Sequence, residues 1–205
     1  MWFIRGDVAA TLEQFKGQAD VIHCRCVTQH VKDPQSLVNL LADSLKPGGL
    51  LLLADGDWVV YDQSRRLVSP AKYDKATGKV IAEGDQSWYA GWLSLVGTGT
   101  RSAEYRRIDE LVKGCETFDP ANLDFHSYYS PVNWAGDDIE HGHELGKILN
   151  VNQRAFLSAS RGTLRKLGIP EGIVDEWAMH YEDDLDSKHY YNIWYYMTAR
   201  KSIRV

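Results

Sequence analysis

The sequence predicts an α/β fold, and three observations along residues 19–58 predict it. Val21 and Ile22 lead a short apolar run that turns polar near Arg25, which is typical of a parallel strand ending at a ligand-binding edge. Leucines at helical spacing follow, and the uninterrupted apolar run from Leu50 to Ala54 then indicates a second strand covered on both faces. The order strand, helix, strand predicts a right-handed unit with parallel strands.

The helix between the two strands is marked at both ends. Asp33 supplies an N-cap carboxylate, and Pro34 fits the first turn because its φ is already helical and it has no amide hydrogen to leave unpaired. Pro47-Gly48-Gly49 then stops the helix and turns the chain.

Polar residues follow both strands. The segment from His23 to Cys26 and the segment from Asp55 to Trp58 should lie side by side at the carboxyl ends of neighbouring strands. Open α/β sheets bind ligands at that edge, so a pocket is expected there.

The remaining chain continues the α/β pattern. We expect a short strand over residues 2–5, a helix over 9–15, an irregular excursion over 61–84 tipped at 76–79, helices over 87–96 and 102–112, a strand over 125–132, a helix over 151–167, another from Pro170, and a last strand over 189–201. Val96-Gly97-Thr98-Gly99-Thr100 has two glycines of a cofactor loop but lacks the third, so we expect a turn between helices.

Composition narrows the class of protein. The chain has 205 residues, enough for one α/β domain, with 44% hydrophobic residues, 25% charged residues and a net charge of -5. It has no basic run typical of a nucleic-acid surface, no membrane-length apolar stretch, and a start unlike a signal peptide. We therefore expect an intracellular protein, cytoplasmic or nuclear, whose three cysteines are free thiols.

Three motifs carry a family resemblance. DVIHCR at 20–25, HVKDP at 30–34 and LKPGGLLLLAD at 45–55 resemble class I S-adenosylmethionine-dependent methyltransferases, particularly the small-molecule methyltransferases common in fungi. SPVNWAG at 130–136, LGIP at 167–170 and the final ARK at 199–201 are also similar to that family. The resemblance is dense over residues 3–58 and thin afterwards.

The resemblance implies a partial Rossmann-like methyltransferase sheet flanked by helices. It implies one domain over 1–205, with a cofactor-side part at 1–58, an acceptor-side excursion and helices at 59–150, and C-terminal helices and a strand at 151–205. The implied activity is methyl transfer from S-adenosylmethionine to a small organic acceptor. Matching the family's motifs residue by residue, the implied cofactor contacts are Gly6, Asp7, Val8, His23, Cys24 and Arg25.

The family's glycine-rich loop and ribose-binding acidic residue have no counterpart upstream in this chain. The resemblance therefore implies an N-terminally incomplete domain with about four sheet strands, an open sheet and weakened cofactor affinity. A partner chain or a second copy is expected to cover the open sheet. A non-catalytic interaction protein or partner-dependent subunit is the alternative function.

Several side chains have two interpretations. Asp7 is either an adenine contact or a helix cap, and His30 is either a general base or a packing residue at the next helix. His141-Gly142-His143 with Glu144 lacks a third ligand at a recognised spacing, so we assign no metal and expect a solvated loop or helix start. A set of aromatic residues either lines an acceptor pocket or belongs to the core: Trp58, Trp88, Tyr89, Trp92, Tyr128, Tyr129 and Trp134.

Overall fold

The computed structural model describes residues 3–101, 103–104 and 106–203, and helices and strands alternate along them. The helices are α1 Val8–Leu12, α2 Pro34–Ser44, α3 Trp88–Thr100, α4 Ile108–Lys113, α5 Gly142–Lys166 and α6 Glu171–Ser187. The strands are β1 Ala19–Arg25, β2 Leu45–Asp62, β3 Lys72–Asp74, β4 Lys79–Ile81, β5 Phe118–Val132 and β6 Tyr190–Lys201. The α/β prediction is confirmed.

Four strands form the main sheet in the order β1-β2-β6-β5, and β3 and β4 form a separate two-stranded sheet. β1 and β2 are parallel, with pairs running from Val21 opposite Leu50 to Arg25 opposite Ala54. α2 connects these two strands, and the Asp33 carboxylate caps it by accepting a 2.9 Å hydrogen bond from the Ser36 amide. The predicted βαβ unit and the sheet of about four strands are therefore both present.

Contacts divide the chain into two units, each made of discontinuous segments. The first unit comprises Met1–Gly56, Arg101–Ser127 and Tyr195–Val205, and the second comprises Asp57–Thr100 and Tyr128–Trp194. In the first unit α2 packs on α4, where the Gln35 side-chain amide donates a 3.0 Å hydrogen bond to the Leu111 carbonyl. Leu37 and Val38 of α2 and Ile108 of α4 are fully buried there.

Aromatic residues on α3 and α6, together with leucines on α5, build the core of the second unit. Tyr89 and Tyr181 meet edge to face at 5.0 Å, and the indole of Trp92 donates a 2.8 Å hydrogen bond to Ser160 on α5. The Asp184 carboxylate caps the start of α3 by accepting 2.7 Å and 3.1 Å hydrogen bonds from Ser87 and from the Tyr89 amide. Because Tyr89 and Trp92 are fully buried and hydrogen-bonded, they are core residues and do not line a pocket.

The predicted strand over residues 2–5 is wrong for residues 3–5, while Trp2 lies outside the described residues. Phe3 and Ile4 are 90% and 58% exposed, and no strand in the described chain pairs with them. A strand requires a hydrogen-bonding neighbour, so apolar composition alone does not make one. The helix expected over 9–15 is confirmed as α1 and a following 3₁₀ turn over 13–15.

The structure corrects the prediction for 61–84 in part. β2 continues to Asp62, and β3 and β4 form a hairpin around the expected tip, where the Asp74 carboxylate accepts hydrogen bonds from the Ala76 amide and the Thr77 hydroxyl. Local turn chemistry therefore orders this segment.

The expected turn at Val96–Thr100 is also wrong, because these residues form the last turns of α3. A Cβ atom at Gly97 would lie 2.8 Å from the Trp58 ring, so the glycine allows the indole to pack directly against the helix. The segment is not a cofactor loop, as expected.

The remaining elements match in type and differ in length. α5 begins nine residues before the expected start at Val151, and β5 begins at Phe118 rather than Phe125. α4 is shorter than the helix expected over 102–112, of which residues 102 and 105 lie outside the described chain. The helix after Pro170 and the last strand are present as α6 and β6, and Val174, Trp177 and Tyr181 are fully buried.

Candidate active site

The carboxyl ends of β1 and β2 lie side by side, as the βαβ unit requires. His23 pairs with Leu52, Cys24 with Leu53, and Arg25 with Ala54. The register continues one residue further, where the Cys26 amide donates a 2.9 Å hydrogen bond to the Ala54 carbonyl. Cys26 then takes a left-handed backbone conformation with φ of 55°, which ends the strand.

Asp55 is the buried polar group at this edge. Its residue is 1% exposed, and the Thr28 hydroxyl, on a 3₁₀ turn that follows β1, donates a hydrogen bond to Oδ2. Oδ1 is buried and accepts no hydrogen bond from the described part of the chain. A buried carboxylate oxygen without a hydrogen bond costs free energy of folding. Oδ1 therefore makes this edge a favourable place for a hydrogen-bond donor.

Burial sets the protonation of the groups around Asp55. It raises the pKa of the Asp55 carboxyl, while the Thr28 hydrogen bond, a Cys26 backbone hydrogen bond and the charge of His30 act in the opposite direction. Burial, reinforced by the charge of Asp55, raises the pKa of the Cys24 thiol to about 12. The pKa of Cys26 is raised mainly by burial as well. Both thiols are therefore protonated at neutral pH.

Three of the sequence-predicted residues gather at this edge. Cys24 and His30 both interact electrostatically with Asp55, and Arg25 hydrogen-bonds with the Cys26 side chain. His23 and His30 are exposed to solvent. The edge therefore combines the exposed imidazole of His30 with one buried carboxyl.

Gly6, Asp7 and Val8 lie on another element, at the beginning of α1. Asp7 Oδ1 accepts hydrogen bonds of 3.0 Å and 3.1 Å from the Ala9 and Ala10 amides, so the helix-cap interpretation is correct for this oxygen. Asp7 Oδ2 and the Val8 amide make no hydrogen bond within the described residues. No hydrogen bond or ion pair there links these residues to the group around Asp55.

That remaining pair of polar groups fits an adenine ring. Adenine presents an exocyclic amine, which donates, next to a ring nitrogen, which accepts. Asp7 Oδ2 is an acceptor and the Val8 amide is a donor, which is the complementary arrangement on adjacent residues. The chemistry of this pair therefore suits the adenine end of S-adenosylmethionine.

The second unit carries an open groove of about 850 Å³ lined in part by Asp62, Arg66, Asp85, Lys188 and His189. Arg66 pairs with Asp62 at 2.8 Å and Lys188 pairs with Asp184 at 2.9 Å, so both cations already have a carboxylate partner. The groove thus offers polar surface next to part of the 61–84 excursion.

The other motifs are placed as follows. His141 and Glu144 are exposed at the start of α5, and the described residues contain no group of three or more potential metal-ligating side chains. Trp58 is half-buried against Phe156, and Tyr128 is 54% exposed. None of the helices in the described ranges is long and apolar enough to cross a membrane.

The sequence places Asp55 at this edge but indicates no specific role for it, and it does not single out Thr28. A signal for Asp55 was available, because an acidic residue directly after a buried parallel strand sits at the sheet edge that binds ligands. No signal marked Thr28, whose hydroxyl reaches a carboxylate 27 residues away.

The fold and the site define an α/β protein with its candidate site at the carboxyl edge of a parallel strand pair. A family model described as a methyltransferase domain matches residues 4–135, which is more than half of the chain. The chain therefore belongs to the methyltransferase domain family. S-adenosylmethionine is the cofactor expected for it.

The chain is similar to two named relatives and to one solved structure. The chain is 30% identical over 172 residues to the secondary metabolism regulator laeA of Coprinopsis cinerea, covering 82% of this chain and 40% of that protein. It is 33% identical over 52 residues to the ubiquinone biosynthesis O-methyltransferase of Shewanella pealeana, covering 25% and 22%. A putative methyltransferase from Bacillus halodurans has 15% identity and a TM-score of 0.45, covering 98% and 77%. The chain spans about two fifths of the length of the first relative.

Proposed function

We propose that this chain takes part in methyl transfer from S-adenosylmethionine to a small organic acceptor at the carboxyl edge of β1 and β2. The observation that carries the proposal is the family match over residues 4–135, which contains the whole βαβ unit. The buried Asp55 oxygen without a partner supports it, because it places a free acceptor at the same edge.

The cofactor contacts in this proposal come from two elements. Asp7 Oδ2 would accept from the exocyclic amine of adenine, and the Val8 amide would donate to the ring. Gly6 precedes them, where a Cβ would lie 3.1 Å from the Thr11 hydroxyl. His23, Cys24 and Arg25 would lie along the methionine part. S-adenosylmethionine would supply an electrophilic methyl group bonded to a positively charged sulfur.

A protonated thiol at Cys24 suits this placement. Its pKa of about 12 leaves almost no thiolate at neutral pH, and the thiolate is the reactive form of cysteine. Cys24 therefore does not compete with the acceptor for the methyl group, while its uncharged side chain fills the edge of the strand.

His30 is the proposed general base. As the acceptor oxygen or nitrogen forms its bond to the methyl carbon and the carbon–sulfur bond breaks, the acceptor proton would pass to the His30 imidazole. Its exposure gives an acceptor access to it. Positioning of the acceptor alone can supply much of the rate of such a transfer. Replacing His30 therefore tests the contribution of the base separately from that of the fold.

The test is a methyl-transfer assay that measures S-adenosylhomocysteine release over a panel of small hydroxyl and amine acceptors. For an accepted substrate, His30→Gln should lower the rate about 100-fold with unchanged cofactor affinity. His143→Gln, an exposed histidine on α5, is the matched control and should leave the rate unchanged. An unaltered rate in His30→Gln would refute the base assignment. A folded chain that transfers to no acceptor would contradict the catalytic proposal.

A second function, a non-catalytic interaction protein or partner-dependent subunit, is favoured by one observation. β1 is an end strand of the described sheet, its Val21 side chain is 56% exposed, and the same unit also exposes Phe3 and Ile4. An unpaired edge with exposed apolar side chains favours a covering chain. The wild-type chain should then bind an apolar dye and Val21→Lys should bind less. A wild-type chain that excludes the dye would rule this function out.

A further inference from the structure

Helix α5 has two apolar faces, and only one of them is used within the second unit. Leu149, Leu157 and Leu164 are buried in the core together with Ser160, which accepts the Trp92 hydrogen bond. On the opposite side Ile148 and Val151 are 65% and 71% exposed. Two exposed β-branched residues one turn apart on a helix are an unusual surface for a chain that already has a packed core.

These two residues belong to a longer row, which we name the outer stripe. At 3.6 residues per turn, its members fall within about 80° of arc. All of them are exposed: Glu144, Ile148, Val151, Ala155, Ala159, Gly162 and Lys166. The intervals between successive members read the same from either end, and Ala155 lies at the centre.

Such a row is complementary to itself when two copies run antiparallel. A two-fold axis at Ala155 places each Ile148 opposite the other copy's Gly162 and each Val151 opposite its Ala159. Large side chains thus meet small ones, which lets the two helices approach closely. A two-fold interface requires this self-complementarity, because the same surface serves both partners.

The charges at the ends of the stripe agree with the same arrangement. Glu144 and Lys166 form no ion pair within the described chain, although most neighbouring charged residues on α5 do, such as Arg161 with Asp175 and Arg165 with Glu171. The antiparallel pairing brings each Glu144 opposite the other copy's Lys166. A parallel pairing would instead place like charges together at both ends.

We propose that the outer stripe of α5 is the surface on which a second copy of this chain docks, antiparallel and centred on Ala155. The inference does not depend on methyl transfer, since it uses residues outside the candidate active site. It also uses a different surface from the exposed edge of β1.

Cysteine cross-linking tests the geometry. Ala155→Cys lies on the proposed axis, so oxidation should link two copies through this residue. Gly162→Cys, on the same helix and with open space around its Cβ, is the matched control. In the antiparallel pair the two sulfurs introduced by Gly162→Cys would be about 21 Å apart along the helix axes and should not link. The unsubstituted chain gives the background from Cys26, which is exposed. Efficient linking of both variants, or of neither above background, would overturn the proposal.

Charge reversal tests the pairing independently. Sedimentation velocity of the full chain over a concentration series should show a monomer–dimer equilibrium. Glu144→Lys and Lys166→Glu should each weaken the dimer roughly tenfold, and the double reversal should restore it, because two exposed ion pairs contribute about that much. Glu176→Lys, an exposed reversal on α6, is the control and should change nothing. A wild-type monomer at every concentration, or a double variant as weak as the single ones, would contradict the proposal.

Discussion

Removing the hydroxyl that bonds Asp55 should destabilise the protein in a pH-dependent manner. Thr28→Val keeps the shape of a side chain that is 1% exposed and removes the donor to Asp55 Oδ2. A hydrogen bond to a neutral group contributes about 0.5–1.5 kcal/mol, and one to a charged group about 1.5–3 kcal/mol. The cost of Thr28→Val should therefore be about 1 kcal/mol where Asp55 is protonated and about 2 kcal/mol where it is ionised.

The direction of the pH dependence follows from the pKa of Asp55, which burial raises above the unfolded value near 3.9. A carboxyl with a raised folded pKa lowers stability progressively as the pH rises from the unfolded pKa towards the folded one. Losing the Thr28 hydroxyl raises the folded pKa further, so the cost of Thr28→Val must grow with pH across this window.

Urea unfolding followed by tryptophan fluorescence between pH 4 and pH 8 measures this free energy of unfolding. Thr28→Ser keeps the hydroxyl and should lose much less. In an Asp55→Asn background the cost of Thr28→Val should no longer depend on pH. A cost that is constant over the pH range, or the same slope in the Asp55→Asn background, would refute the assigned coupling.

Three further predictions concern single sites. Gly97→Ala should destabilise the protein by about 1 kcal/mol, because crowding against Trp58 outweighs the gain in helix propensity. Gly162→Ala in dilute solution should instead stabilise it by about 0.5–1 kcal/mol. Equal effects of the two substitutions in urea unfolding would contradict the packing at α3. The pKa of Asp109 is lowered to about 2 by its hydrogen-bonded cationic neighbours, so it contributes stability above the unfolded pKa that is lost as the pH falls towards 2. Asp109→Asn should cost about 1–2 kcal/mol at pH 7 and much less at pH 2, and an equal cost at both would be inconsistent with this. Cys24, with its pKa near 12, should have about one thiolate per ten thousand at pH 8. Its alkylation, followed by mass spectrometry, should therefore be far slower than that of a thiol with an ordinary pKa. Rapid labelling would disprove its burial.

The central βαβ unit was predictable because residues at its own boundaries determine where its helix begins and ends. Asp33 and Pro34 start α2 whatever the rest of the chain does. The helix ends three residues before Pro47, so the helix and the two parallel strands follow from short-range rules. The apolar runs then fix which strands are neighbours. The carboxyl edge with Cys24 and Arg25 follows from that topology.

The misplaced boundaries depended on contacts between distant residues. α5 starts before its first apolar repeat because Gly146 packs on the Trp134 backbone, where a Cβ would lie 2.0 Å from the carbonyl oxygen. Gly97 is helical because the Trp58 ring lies against it. Neither contact has a signal in residue spacing, and glycines otherwise suggest a turn.

The sequence predicted where the candidate site lies but only some of the side chains that form it. Topology brought Cys24, Arg25 and Asp55 to one edge, but the Thr28 hydrogen bond and the burial of Asp55 arise from tertiary packing. The cofactor roles of Gly6, Asp7 and Val8 remain predictions from the family resemblance, and the role of His30 as a base remains a prediction from the chemistry of imidazole. Asp7 Oδ2 is an acceptor and the Val8 amide is a donor, which are the two kinds of group that adenine requires.

Calorimetric titration of the chain with S-adenosylmethionine, comparing wild type with Asp7→Ala, tests the proposed function most directly. Asp33→Ala is the matched control, because it also removes an N-cap aspartate, at the start of a different helix. We expect the wild type to bind, Asp7→Ala to bind about tenfold more weakly, and Asp33→Ala to bind like the wild type. A folded wild type that does not bind, or an Asp7→Ala variant with unchanged affinity, would contradict it.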